Sequence, residues 1–194
     1  MTHSLAAFLL AGGKSSRMGR DKALLAINGE TLLERGLRTL RALTPHVAIS
    51  GGNAALAAHA PLVLDLWPGQ GPLGGIVSAL QQSQAQWNVF LAVDMPFVPE
   101  EAFHAMIAAA VSPCRVVVAE SDGRLHPLCG VYSRSALPIL ARELEAGNLR
   151  VRDAIEATDA LLRISFSRRE WFANLNTPLD FERARAPRLD IQLT

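Results

Sequence analysis

Only two cysteines, Cys114 and Cys129, occur in 194 residues. Their spacing fits no metal-ligand pattern, and one pair cannot build a disulfide framework, so reduced thiols are the plain reading. An excess of charge of one sign is missing too: 19 Lys and Arg face 18 Asp and Glu, leaving a formal net charge of +1. This excludes bulk attraction to nucleic acid or to an anionic membrane as the basis of function. Any preference for phosphate must therefore be local. No apolar run approaches the roughly 20 residues that span a bilayer. Met1-Thr2-His3-Ser4 carries no basic region, and the apolar run behind it is too short for a signal peptide. The expectation is a cytoplasmic protein with neither a membrane nor a nucleic-acid partner. Repeats, low-complexity segments and linkers are also absent, so residues 1–194 are expected to form one domain with a loose tail at 187–194.

What is present is concentrated near the start. An apolar run, Leu5 to Leu10, reads as a buried β-strand and stops at Ala11-Gly12-Gly13. Lys14, Arg17, Arg20 and Lys22 then fall within one loop of mostly small residues. Adjacent glycines let backbone N–H groups approach a ligand, and the cations neutralise it, so a polyphosphate suits this loop. The G-x-x-x-x-G-K-[ST] pattern does not fit, because Gly19 is followed by Arg20-Asp21. G-x-G-x-x-G is absent as well, which argues against a P-loop NTPase and a dinucleotide dehydrogenase. The plainer alternative is a solvated strand-to-helix turn with ordinary surface cations.

Further on, Asn28-Gly29 is a turn dipeptide, and Thr31 with Glu34 forms a capping box for a helix ending near Leu43, before Pro45. Strands are expected at Val47–Ser50, Pro61–Leu64, Trp87–Val93, Arg115–Glu120, Leu128–Tyr132 and Leu161–Phe166, with a turn at Asp122-Gly123. Helices are expected with Pro72 at the first helical position of one, and over Pro99–Ala110, Ser135–Ala146 (stopped by Gly147), Leu149–Ala157 and Pro178–Ala186, with a short one at Leu56–Ala60. Strands alternating with helices give an α/β fold whose mainly parallel sheet is covered on both faces. Ligands bind such sheets at the carboxyl ends of strands, where the glycine loop, Asp65 and Asp94 all fall.

Leu10-Ala11-Gly12-Gly13, Ser16-Arg17-Met18-Gly19 and Asp21-Lys22 resemble the signature loop of the molybdenum cofactor guanylyltransferases, the MobA family. Other segments resemble that family in the same order: Gly71-Pro72-Leu73-Gly74-Gly75, Asp94-Met95-Pro96, His126-Pro127, Gly147 to Asp153, and Asn174-Leu175-Asn176-Thr177-Pro178. The resemblance implies a Rossmann-like, glycosyltransferase-A-like nucleotidyltransferase with a mixed but mainly parallel sheet. Its N-terminal half would bind GTP, and its C-terminal half would receive molybdopterin. Implied partners are those two substrates, with transient contact to cofactor-synthesis proteins or acceptor apoenzymes.

Candidate roles follow. Leu10, Ala11, Gly12 and Gly13 would cradle phosphate, with Gly71, Pro72 and Gly74 beside the base. Lys22 would bear on the α- or β-phosphate oxygens, where charge builds as the P–O bond breaks, and Arg17 on the β and γ groups. Asp94 would hold Mg²⁺, a hard ion that takes one or two protein carboxylates with phosphate oxygens and water; otherwise it caps a turn. Asp65 resembles the family's GTP-binding Asp and could accept from guanine N1–H and N2–H₂ or from ribose hydroxyls; otherwise it forms a turn. Ser50 or Asn53 would add a nucleotide contact. By the resemblance Asn176 would join the metal; equally, Asn176 or Thr177 would cap the last helix. Arg150 and Arg152 would meet the acceptor phosphate or solvate a helix start. His126 would touch the acceptor or serve packing. Rival readings are a cytidylyl- or sugar-phosphate nucleotidyltransferase and a non-catalytic nucleotide-binding module.

Overall fold

The computed structural model describes residues 4–12, 22–51 and 54–185. Its elements in order are β1 (Leu5–Leu10), β2 (Ala26–Ile27), β3 (Glu30–Thr31), α1 (Leu32–Leu43), β4 (Val47–Ser50), β5 (Leu62–Val63), α2 (Gly71–Gln82) and β6 (Trp87–Ala92). There follow α3 (Glu100–Ala109), β7 (Val116–Ser121), β8 (Arg124–Ser133), α4 (Leu137–Glu145), α5 (Val151–Glu156), β9 (Leu161–Ser165) and α6 (Pro178–Arg185).

Seven strands form one sheet in the order β5-β4-β1-β6-β8-β7-β9, and β2 and β3 make a separate ribbon. All neighbouring pairs are parallel except those of β8, which runs against β6 and β7. The reversal comes from the turn after β7, where Asp122 and Gly123 take φ of 48° and 69°. Two successive positive φ values match the twist of a tight hairpin. The expected mixed, mainly parallel sheet is thus present, and β6, buried at every position, lies at its centre.

Side chains alternate along each buried strand, so both faces need cover. On β1, Ala7 and Leu9 join the core formed with α1 (Leu32, Leu33, Leu37, Leu40) and α3 (Phe103, Met106). Ala6, Phe8 and Leu10 join the opposite core with α2 (Leu73, Ile76, Val77, Leu80), α4 (Leu140) and α5 (Ile155). Each fully buried Leu or Ile contributes roughly 1.5–3 kcal/mol, so these two layers fix the strand order. Helix α1 starts as its sequence demands: the Thr31 hydroxyl accepts from Glu34 N–H at 3.1 Å, and the Glu34 carboxylate accepts from Thr31 N–H at 2.9 Å.

Several boundaries differ from expectation. Strand β5 is shorter than Pro61–Leu64 because the Gln82 amide takes both backbone groups of Leu64, accepting from its N–H at 3.2 Å and donating to its C=O at 2.8 Å. Strand β8 is longer than Leu128–Tyr132. Its register jumps, Val118 pairing with Gly130 and Ala119 with His126, so Pro127 to Cys129 bulge from the ladder. Pro72 is the second residue of α2 rather than the first, a position that equally lacks an intrahelical N–H partner. The β2–β3 ribbon and a 3₁₀ turn at Arg169–Phe172 were not expected; both are too short to show periodicity. The tail at 187–194 lies outside the described residues.

The carboxyl ends of β1 and β4 meet closely. Gly51 has φ +79°, and a Cβ there would lie 2.8 Å from the Gly12 Cα. Gly29 has a similar φ, +85°, with nothing near its missing Cβ. Gly29→Ala should therefore cost only the dihedral penalty, about 1–2 kcal/mol. Gly51→Ala adds a clash with backbone that cannot rotate away and should cost at least about 2–3 kcal/mol. Urea unfolding of both variants checks this; equal losses would show that the two strand ends are not in contact.

Candidate active site

Three distant stretches converge at the carboxyl edge of the sheet. Strands β1 and β6 pair in register up to Leu10 and Ala92, and Val93 N–H donates to the Leu10 carbonyl at 3.0 Å. Gly12 and Asp94 consequently emerge side by side. Lys22 heads a single 3₁₀ turn, Lys22–Leu24, whose Ala23 is buried. The Lys22 Nζ donates to Asp94 Oδ2 at 3.1 Å and to Asn176 Oδ1 at 2.7 Å, across separations of 72 and 154 residues. Asn174 Nδ2 also donates to Asp94 Oδ2, at 3.2 Å, and Leu175 N–H donates to the Asp94 carbonyl at 2.9 Å. The side chains of Lys22 and Asp94 keep 17% and 20% of their exposure. A partly buried ion pair of this kind is weak evidence for stability, because desolvation offsets much of the attraction.

The two readings of Asn176-Thr177 separate cleanly. Thr177 is the helix cap: its hydroxyl accepts from Asp180 N–H at 3.2 Å. The Asp180 carboxylate in turn accepts from the N–H groups of Asn176 at 2.8 Å and Thr177 at 2.7 Å. These two backbone donors are the main reason its carboxyl titrates below the ordinary aspartate value of 3.8. The Asn176 side chain is left for Lys22. Asn174 and Asp180 were not singled out from the sequence. The i, i+2 spacing of Asn174 and Asn176 in extended chain and the Thr-x-x-Asp pattern were the available signals.

The second glycine-rich segment is built by close packing. A Cβ on Gly74 would lie 2.9 Å from the Trp67 carbonyl oxygen. The Ser50 hydroxyl donates to the Gly75 carbonyl at 2.9 Å, so Ser50 ties the end of β4 to α2. Gly71, with φ +66°, and Pro72 open that helix. Asp65 stands apart from the Lys22 cluster: its Oδ1 accepts from Trp67 N–H at 3.0 Å, forming a turn within its own loop. Leu10 and Ala11 are buried at the end of β1, where Ala11 N–H donates to the Ser50 carbonyl at 3.0 Å. Gly13, Lys14, Arg17, Arg20 and Asn53 lie outside the described residues.

Beside α2 lies a cleft of about 680 Å³, lined by Pro72, Pro127, Leu128, Arg150, Arg152 and Asp153 among others. The β8 bulge supplies one wall and the start of α5 the other. Arg152 is engaged with Glu156 at 3.2 Å. His126 stacks on Phe172 at 4.8 Å, and its Nε2 lies 2.8 Å from Ser121 Oγ. Burial first, then the Arg124 charge, pushes its pKa below the usual imidazole value. Its packing partner Phe172 begins the stretch that carries Asn174 and Asn176. Nearby, Arg168 lies over the Trp171 ring at 5.3 Å, and Arg169 is 3.8 Å from Asp122.

Oxygen donors and a lysine gathered where parallel strands end define an α/β protein with its candidate ligand site at the carboxyl edge of the sheet. The family model for the MobA-like NTP transferase domain matches residues 7–161. The chain is 34% identical to a probable molybdenum cofactor guanylyltransferase of Synechococcus elongatus, covering 92% of this chain and 97% of the relative. It is 36% identical to a molybdenum cofactor guanylyltransferase of Cereibacter sphaeroides, with coverage of 92% and 94%. The crystal structure of molybdopterin-guanine dinucleotide biosynthesis protein A from Archaeoglobus fulgidus superposes with a TM-score of 0.78 at 24% identity, over 93% and 96% of the two chains. This chain belongs to the MobA-like NTP transferase family. No described helix is long and apolar enough to cross a membrane.

The Thr177–Asp180 cap carries its own tests. Thr177→Ala should cost about 1 kcal/mol in chemical unfolding. The depressed Asp180 carboxyl binds its proton more weakly folded than unfolded, so its contribution is complete above the unfolded value near 3.8 and fades as pH falls through the folded one. Asp180→Asn should melt below the parent at neutral pH, and the gap should close below about pH 4. A gap that persists unchanged in acid would contradict this.

Proposed function

We propose that this chain is a single-domain molybdenum cofactor guanylyltransferase that moves GMP from GTP to the terminal phosphate of molybdopterin, in its molybdenum cofactor form. The supporting observation is the meeting of Lys22, Asp94 and Asn176 at the carboxyl ends of β1 and β6, together with relatives that bear that activity in their names over nearly the whole chain. An oxygen of the acceptor phosphate attacks the α-phosphorus of GTP. The bond from that phosphorus to the β-bridging oxygen breaks, and pyrophosphate leaves with the electron pair. A phosphate monoester is already ionised near neutral pH, so no general base is needed. What the protein supplies is position and charge.

Leu10 to Gly13 and Arg17 hold the triphosphate, and Lys22 bears on the oxygens around the breaking bond. Asp94 Oδ2 and Asn176 Oδ1 are hard oxygen donors suited to Mg²⁺. Among the described residues no group of three or more His, Cys, Asp or Glu gathers to hold a metal, so the remaining ligands would be phosphate oxygens and water. When bound, the ion neutralises charge on the phosphates. Asp65 spends one lone pair on Trp67 N–H; a carboxylate has about four such sites, and the rest serve guanine or ribose. Gly71, Pro72 and Gly74 form the adjoining wall. The acceptor lies in the cleft that Pro72 shares with Arg150 and Arg152, its phosphate directed toward the nucleotide.

The deciding assay is pyrophosphate release from GTP with Mg²⁺ and molybdopterin, with CTP and sugar phosphates as competitors. Release with GTP and molybdopterin is expected. Release only with CTP or only with a sugar phosphate, or nucleotide binding without release, would overturn the reading. Lys22→Ala and Asp94→Ala should each lower turnover by about 10²-fold or more with unchanged melting. Arg150→Ala should raise KM for the acceptor severalfold and leave KM for GTP alone; equal effects on both would remove the acceptor from this cleft.

A further inference from the structure

The Lys22 ammonium touches the same two oxygens, Asp94 Oδ2 at 3.1 Å and Asn176 Oδ1 at 2.7 Å, that are proposed as ligands of the divalent ion. Asn174 Nδ2 adds a second donor to Asp94 Oδ2 at 3.2 Å. A cation is thus already seated on the metal's protein ligands. We infer that Lys22 is a place-holder cation: it blocks the divalent-ion site until a triphosphate draws its ammonium away, which makes metal binding conditional on nucleotide. The inference rests on the reading of Asp94 and Asn176 as metal ligands.

An ammonium and a divalent ion cannot share two oxygens at contact distance. Even at the dielectric constant of water, their repulsion at about 4 Å lowers affinity by tenfold or more. Among the described residues of the cluster Asp94 is the one carboxylate, and Lys22 already balances its charge. A lysine stem is flexible and its head is a compact point charge, so Lys22 can swing from the carboxylate to phosphate oxygens. That move frees Asp94 and Asn176 at the moment the phosphates arrive to complete the coordination shell. Binding of each ligand then tightens the other by the same factor, as linkage requires. One side chain therefore has two successive tasks, first excluding metal and then neutralising phosphate.

Mn²⁺ binding to the full-length protein, followed by electron paramagnetic resonance of the free ion in the absence of nucleotide, tests this. Lys22→Met should bind Mn²⁺ at least about tenfold more tightly than the parent, and Lys22→Ala should do the same if the longer side chain perturbs folding. Lys22→Arg should stay as weak as the parent. Adding Asp94→Asn to Lys22→Met should abolish the gain. Parent-like Mn²⁺ affinity in the folded Lys22→Met and Lys22→Ala proteins overturns the place-holder role; if Asp94→Asn still abolishes Mn²⁺-dependent pyrophosphate release, the metal assignment survives that failure. Tight Mn²⁺ binding by the double variant would instead move the ion away from Asp94 and overturn both.

Discussion

The side-by-side parallel pairing of β1 with β6 is the constraint on which the site depends. Both strands are covered on both faces, so every backbone group must be paired within the sheet and neither strand can slip without exposing its apolar side chains. Their register ends with Leu10 opposite Ala92, and the next bond, Val93 N–H to the Leu10 carbonyl, carries the pairing to the rim. A loop leaving β1 and a carboxylate leaving β6 are thereby delivered to one spot. The contact of Gly12 with Gly51 does the same for β1 and β4 on the other side. Stability and site geometry share one cause.

The remaining members of the site are brought by elements that are weakly anchored on their own. The stretch carrying Asn174 and Asn176 is neither helix nor strand. It is held by Leu175 N–H on the Asp94 carbonyl, by buried Leu175, and at its ends by the stacking of Phe172 on His126 and the Thr177–Asp180 cap. Neutral, partly buried imidazole suits His126 to this packing role. The extended i, i+2 spacing turns both amides to one side, Asn174 toward the Asp94 carboxylate and Asn176 toward the Lys22 ammonium.

Much of the fold is legible in the residues. The Thr31–Glu34 box, the turns at Asn28-Gly29 and Asp122-Gly123, the glycine after α4 and the apolar run of β6 each act through a local mechanism, and each appears where it was expected. Expectation and structure part where distant groups intervene. Gln82 shortens β5 by binding Leu64, and the Pro127–Cys129 bulge is imposed by pairing with β7. Gln82 leaves no trace in the segment of β5 itself, whereas Pro127 is of a residue type confined within sheets to edges, strand starts and bulges.

The same division holds for the site. By itself the sequence determined which groups are available: a glycine pair with basic residues after the first strand, an aspartate after a strongly apolar strand, and an Asn-x-Asn pair before the last helix. Local propensity and period are enough for that, because each group is placed by its immediate neighbours. Only the tertiary structure decided that Lys22, Asp94 and Asn176 meet, that Thr177 takes the cap and frees Asn176, and that Asp65 lies apart in its own turn. Those outcomes depend on strand order and register across the whole chain, and the energy that sets them is in the two buried layers rather than in the site residues.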